Sequence, residues 1–97
     1  MKPFRWNPEK NDVLKAARGM LFESIVVALE SGALLDIVEH PNKVKYRQQR
    51  VMGVAVENYA YLVPFVEEED HYFLKTAIPS RKATRDYLGK GEPDVKA

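Results

Sequence analysis

Apolar residues recur every three or four positions over the first third of the chain and every second position after it, so helices are expected to precede strands. Asn7 followed by Pro8 is a helix start, with Val13, Leu14 and Ala17 as the inner face of a helix over residues 8–18. Lys10 and Lys15 point away from that face, and Gly19 can take the left-handed conformation that ends the helix. Phe22, Ile25, Val26 and Leu29 give a second amphipathic helix that stops at Gly32, with Glu23 and Glu30 on its outer side. The period then changes to two. Strands are expected over residues 34–39, 50–56, 59–66 and 71–78, and Glu57-Asn58 makes a tight hairpin turn between the middle pair. Pro64 cannot donate to a ladder and calls for a bulge or an edge position where it falls. Ile78-Pro79-Ser80 then leads into a short basic helix over residues 81–88, capped by Ser80 and closed by Gly89.

Helices grouped apart from strands imply an α+β fold. The expected architecture is two N-terminal helices, a four-stranded antiparallel meander sheet and a short C-terminal helix, with helices laid on one face of the sheet. Residues 1–89 make one domain, and Lys90 to Ala97, with Gly91 and Pro93, form a loose tail. The 97 residues suffice for one core, and 45% hydrophobic with 30% charged residues describes a globular chain rather than a disordered one. No apolar run approaches the roughly 20 residues of a membrane span. Met1 to Phe22 lacks the apolar stretch of a signal peptide, so a cytoplasmic location is expected. With no cysteine and only the isolated His40 and His71, neither a disulfide framework nor a structural zinc site is expected, and no metal or cofactor is called for.

A net charge of +1 conceals segregation. Lys43, Lys45, Arg47 and Arg50 form one basic cluster, Arg81, Lys82, Arg85 and Lys90 another, and Glu67-Glu68-Glu69-Asp70 an acidic run. Arg81 and Lys82 fall in the first turn of the last helix, where the dipole favours acids, and Arg81 and Arg85 are like charges at i,i+4. Positive charge gathered beside free backbone N–H groups is how a phosphate site is made, although Lys82 can also pair with Asp86. Arg50 can clamp a phosphate bidentately or pair with Asp36 or Glu39 on the neighbouring strand. Lys10 can reach a nucleic acid from the first helix, and Lys45 and Arg47 from the basic loop. Tyr59 and Tyr61 share one strand face, where either can stack a base or simply pack. Glu23 is a general-base candidate or a carboxylate satisfying the second helix's dipole.

There is no phosphate-cradling glycine loop, no nucleophile elbow and no serine with a better role than cap or helix surface. The remaining Arg, Lys, Glu, Tyr and His suit one reaction class, attack of a ribose 2′-hydroxyl on its neighbouring phosphate. That reaction needs fixed positive charge on the phosphorane, a base and a proton donor.

Phe4-Arg5-Trp6-Asn7-Pro8-Glu9-Lys10, Arg18-Gly19-Met20-Leu21-Phe22-Glu23, Gln49-Arg50-Val51-Met52-Gly53 and Ser80-Arg81-Lys82-Ala83-Thr84-Arg85 together resemble the BrnT family of bacterial toxins. The similarity spans roughly residues 4–88. It implies a RelE-like fold, a ribonuclease that inhibits translation, and an antitoxin partner, commonly a DNA-binding ribbon-helix-helix protein, in a hetero-oligomer. Arg81 and Lys82 gain weight as phosphate contacts from it. Asn7, Arg18, Gln49 and Lys75-Thr76 stand where that family usually has Asp, His, an acidic residue and Arg. The resulting expectation is a metal-independent endoribonuclease with Arg50, Arg81, Lys82 and Glu23 as catalytic candidates. Lys10, Lys45, Arg47, Arg85 and Tyr61 are the expected RNA contacts. The other class in view is a non-catalytic binder, either a ParE-like inhibitor seated on a protein target or an RNA-binding module.

Overall fold

Asn7 begins the first helix with its side chain, whose Oδ1 accepts the Glu9 N–H at 2.8 Å while Pro8 occupies the first helical position. A computed structural model describes residues 2–89. The tail expected over residues 90–97 lies outside the described residues. In chain order the elements are β1 (Phe4–Trp6), α1 (Pro8–Arg18), α2 (Phe22–Glu30), β2 (Leu34–Glu39), β3 (Gln49–Val56), β4 (Tyr59–Glu67), β5 (Tyr72–Leu74), β6 (Ile78–Pro79) and α3 (Arg81–Leu88). No helix among the described residues is long and apolar enough to cross a membrane. Gly19 ends α1 at φ 64°, a backbone state that costs a glycine nothing. Leu21 offers α2 no cap, and Asn11 of α1 supplies one from outside: its Oδ1 accepts the Phe22 N–H at 2.8 Å.

The result is an α+β fold with a mixed sheet, which corrects the expected four-stranded antiparallel meander in two places. Strands run in the order β1-β5-β4-β3-β2, with β6 also on β4. First, Phe4–Trp6 is an edge strand that lies parallel to β5, with Phe4 opposite Tyr72 and Trp6 opposite Leu74. Second, the strand expected over residues 71–78 is broken in two. β5 pairs with Phe65, Val66 and Glu67, and β6 pairs with Tyr61 and Leu62. Pro64 explains the break. Its carbonyl accepts the Lys75 N–H at 2.8 Å, so the side on which it lacks an N–H is the side facing this edge. The partner strand finds an acceptor but no donor there and swings away over Lys75 to Ala77. Between β3 and β4 the turn Glu57-Asn58 has positive φ at both residues (52° and 67°), the geometry of a two-residue type I′ hairpin.

Register separates the sheet into two unlike faces. Met52, Val54, Val63, Phe65 and Leu74 face α1 and α2 and form the core with Leu14, Phe22, Ile25 and Leu29. Trp6 stacks on Phe22 with ring centroids 5.6 Å apart, which ties β1 to α2. The other face carries Gln49, Val51, Pro64, Val66 and Phe73, and α3 lies across its far end over Ala60 and Leu62. Helices therefore cover both faces, not one.

A single hydroxyl fixes α3 in place. Thr84 is buried, its Oγ1 accepts the Ala60 N–H at 2.8 Å, and the same hydroxyl donates to the Ser80 carbonyl at 2.7 Å. Ser80 in turn donates its N–H to the Ala60 carbonyl at 3.0 Å and caps the helix by accepting the Ala83 N–H at 3.1 Å. At the helix's other end the Tyr87 hydroxyl donates to Asp36 Oδ2 at 2.6 Å, and that carboxylate holds the phenol's pKa above its ordinary value. Replacing Thr84 with Val keeps the shape but leaves the buried Ala60 N–H without an acceptor. We expect Thr84→Val to destabilise the fold by about 1–3 kcal/mol, read as a melting point lower by several degrees. Thr84→Ser retains the hydroxyl and should lose markedly less; equal melting of Thr84→Val and the parent would contradict this anchor.

Candidate nucleic-acid interface

The break opposite Pro64 opens a groove on the face that α3 leaves bare. Its volume is about 440 Å³, and Lys10, His40, Tyr46, Gln49, Lys75 and Thr76 line it together with Pro64 and Ile78. A shallower depression of about 310 Å³ shares Tyr46 and Gln49 with it and adds Lys45, Arg47, Gln48 and Val66. Four cationic side chains, Lys10, Lys45, Arg47 and Lys75, thus border one continuous surface, and none of the residues lining either part is acidic.

The loop between β2 and β3 is ordered by its own polar groups. Asn42 Oδ1 accepts the Lys45 N–H at 3.1 Å, and the Tyr46 N–H reaches the Asn42 carbonyl at 2.9 Å. His40 Nδ1 accepts the Asn42 N–H at 3.0 Å, which leaves the ring proton on Nε2. The His40 and Tyr46 rings lie 4.5 Å apart at 37°, and Lys45 Nζ sits 5.2 Å from the Tyr46 centroid. Lys75 Nζ is 5.2 Å from the Phe73 ring. These contacts fix an aromatic pair among cations, the combination that suits stacked bases on a charged backbone.

Of the residues expected to bind RNA, the structure brings Lys10, Lys45 and Arg47 to this surface and leaves Tyr61 off it. Tyr61 is half-buried on the α2 side of the sheet, edge-on to Tyr59 at 5.9 Å. The four catalytic candidates do not meet. Arg50 also faces the α2 side, where Nη2 bonds Glu67 Oε1 at 2.6 Å and the guanidinium lies 5.2 Å from the Phe65 ring. Its partner is therefore Glu67 on β4, and Glu39 on β2 pairs with Lys43 at 2.6 Å. Glu23 accepts a bond from Asn11 Nδ2 at 2.9 Å as part of the α1–α2 junction. Arg81 opens α3, exposed and without an ion pair or hydrogen bond among the described residues. Lys82 pairs with Asp86 at 2.8 Å, and Arg85 lies near the same carboxylate at 3.9 Å. Arg81 and Arg50 are on opposite faces, separated by roughly 15 Å along β4 at about 3.3 Å per residue.

The groove also contains residues that sequence reasoning assigned no role: His40, Tyr46, Gln49, Lys75 and Thr76. Three of these, Gln49, Lys75 and Thr76, stand at positions that depart from the BrnT pattern. Tyr46 had a signal, since it interrupts the basic run Lys43 to Arg47 with an aromatic ring. Among the described residues no three His, Asp or Glu side chains converge to hold a metal ion. Comparison with known proteins returns no match: no family model, no curated protein and no solved structure matches the chain.

Charge pairing away from the groove has a pH signature. Lys2 donates to Glu67 at 2.9 Å, and that bond first, then the nearby charges of Lys2 and Arg50, holds the Glu67 carboxyl below its ordinary pKa. A depressed carboxyl contributes stability above its unfolded pKa and loses it as pH falls through the folded value. Glu67→Gln should therefore melt lower than the parent at neutral pH, with the gap closing below the ordinary carboxylate range. A gap that widens on acidification would contradict the pairing.

Proposed function

We propose that this chain is an RNA-cleaving toxin of a toxin–antitoxin pair, with a RelE-like fold, and that its RNA lies in the groove beside Pro64. The observation that carries this reading is the groove's composition: four cations and an ordered His–Tyr pair with no acidic side chain lining it. A polyanion with unpaired bases is the ligand those groups complement, because phosphates take the cations and bases take the rings. The resemblance to BrnT toxins adds the reaction class and the cellular setting. Ile78 lies in the groove and β6 leads directly into α3, so the bound strand is proposed to run on to Arg81, while Lys82 stays paired with Asp86.

The reaction proposed is transesterification. The ribose 2′-oxygen forms a bond to phosphorus as the bond to the 5′-oxygen breaks, the hydroxyl proton passes to water, and the departing 5′-oxygen takes a proton from water. The His40 Nε2–H can donate a hydrogen bond to a phosphate oxygen. The products are a 2′,3′-cyclic phosphate and a 5′-hydroxyl. Lys10, Lys75 and Arg81 supply fixed positive charge to the phosphorane, where each such group is worth on the order of 100-fold in rate. On this reading Arg50 and Glu23 serve the fold through Glu67 and Asn11. Their engagement in those pairs is also what favours the second reading, an RNA-binding module without cleavage. The proposed antitoxin covers the groove with acidic segments, relieving repulsion among its cations.

Purified protein incubated with total RNA in excess EDTA should produce fragments ending in 2′,3′-cyclic phosphate or 3′-phosphate. Cleavage abolished by EDTA and restored by Mg²⁺ would overturn the mechanism, and RNA retention without cleavage would select the second reading. Arg81→Ala should lower the rate by on the order of 100-fold at an unchanged melting point, because it removes a cation from an unfavourable dipole position. Full activity per folded molecule together with a melting point several degrees lower would make Arg81 structural.

A further inference from the structure

Resting on the RNA-binding reading above, we propose that the groove takes one unpaired adenine nucleotide, with Gln49 as the residue that selects the base. Gln49 is half-buried in the groove wall, and its side-chain amide has no hydrogen-bond partner among the described residues. A half-buried amide open to a groove is available to pair with a group that enters it. It offers one donor and one acceptor side by side, which match the N6 amino group and N7 of adenine in a single bidentate contact. The base is read on this Hoogsteen edge, where guanine presents two acceptors, N7 and O6, and would leave the amide carbonyl facing an oxygen, and where a pyrimidine has no ring-nitrogen acceptor.

The rest of the groove suits a single nucleotide. Tyr46, steadied by His40 at 4.5 Å and Lys45 at 5.2 Å, gives a ring face on which a base stacks, and Pro64 and Ile78 form an apolar wall. Lys10 and Lys75 stand ready for the flanking phosphates. A volume of about 440 Å³ accepts one nucleotide, and an unpaired one, because the base edges of an RNA duplex are withdrawn into a groove too deep and narrow for side chains to read.

The test uses 2′-O-methyl oligouridines carrying a single A, G or C, whose blocked 2′-oxygen separates binding from cleavage, measured by fluorescence anisotropy over a salt series. Wild-type protein should bind the A-containing strand about tenfold more tightly than the others. Gln49→Ala should erase that preference with an unchanged salt slope, whereas Lys10→Ala and Lys75→Ala should lower affinity for every strand and flatten the slope. Gln49→Arg, a second variant of the same position, should move the preference to G, because a guanidinium donates to both N7 and O6. Equal affinity for the A-, G- and C-containing strands, or an A preference that survives Gln49→Ala, would overturn this inference and leave RNA binding standing. No binding to any strand would overturn the RNA reading and this inference with it.

Discussion

The missing N–H of Pro64 is the constraint on which the arrangement of this protein turns. A continuous last strand would have run the length of β4 and closed that edge of the sheet. Because Pro64 has no donor to offer there, the chain pairs on either side of it, as β5 and as β6, and bows outward over Lys75 to Ala77. Each half then does something a single strand would not. β5 presents its outer edge to β1, which brings the N-terminus into the sheet and seats Trp6 on Phe22. β6 delivers Ser80 to the Ala60 carbonyl and so starts α3 at a fixed place. The groove lies between the halves, at the break itself.

The two faces of the sheet divide the labour. On the side of α1 and α2, apolar residues meet in a packed core, and at its margin Arg50 and Lys2 both pair with Glu67. On the other side α3 is short and held by Thr84 and Tyr87, so it shields Ala60 and Leu62 but leaves the surface around Gln49 and Pro64 open. Cations collect on that open surface without acids among them. Such an arrangement is unfavourable to the isolated chain through self-repulsion, and a polyanionic ligand relieves it.

Much of this was legible in the sequence wherever the determinant was local. Asn7-Pro8, Gly19, Glu57-Asn58, Ser80 and Gly89 mark their caps and turns by backbone chemistry within a few residues, and each of them has that role in the fold. Pro64 announced an irregularity but not its consequence, because the break appears on a different strand. Phe4–Trp6 was opaque for a related reason: a three-residue strand paired in parallel with residues from the far end of the chain has no local signature. The site was legible only in part. Lys10, Lys45 and Arg47 could be chosen by charge, but which face Arg50 takes depends on register, and a one-residue shift would have turned it into the groove. His40, Tyr46, Gln49 and Lys75 come from three separate segments that only the folded sheet brings together.

The central claim is that RNA lies on the open face beside Pro64, and mapping the bound surface tests it most directly. Backbone amide resonances of isotope-labelled protein, followed during titration with a short single-stranded RNA, should shift at Lys45 to Gln49, Val66 and Lys75 to Ile78, and at Lys10. Shifts confined to Glu23, Val27 and Val56, or to Leu34, Ile37 and Arg50 on the opposite face, would contradict it.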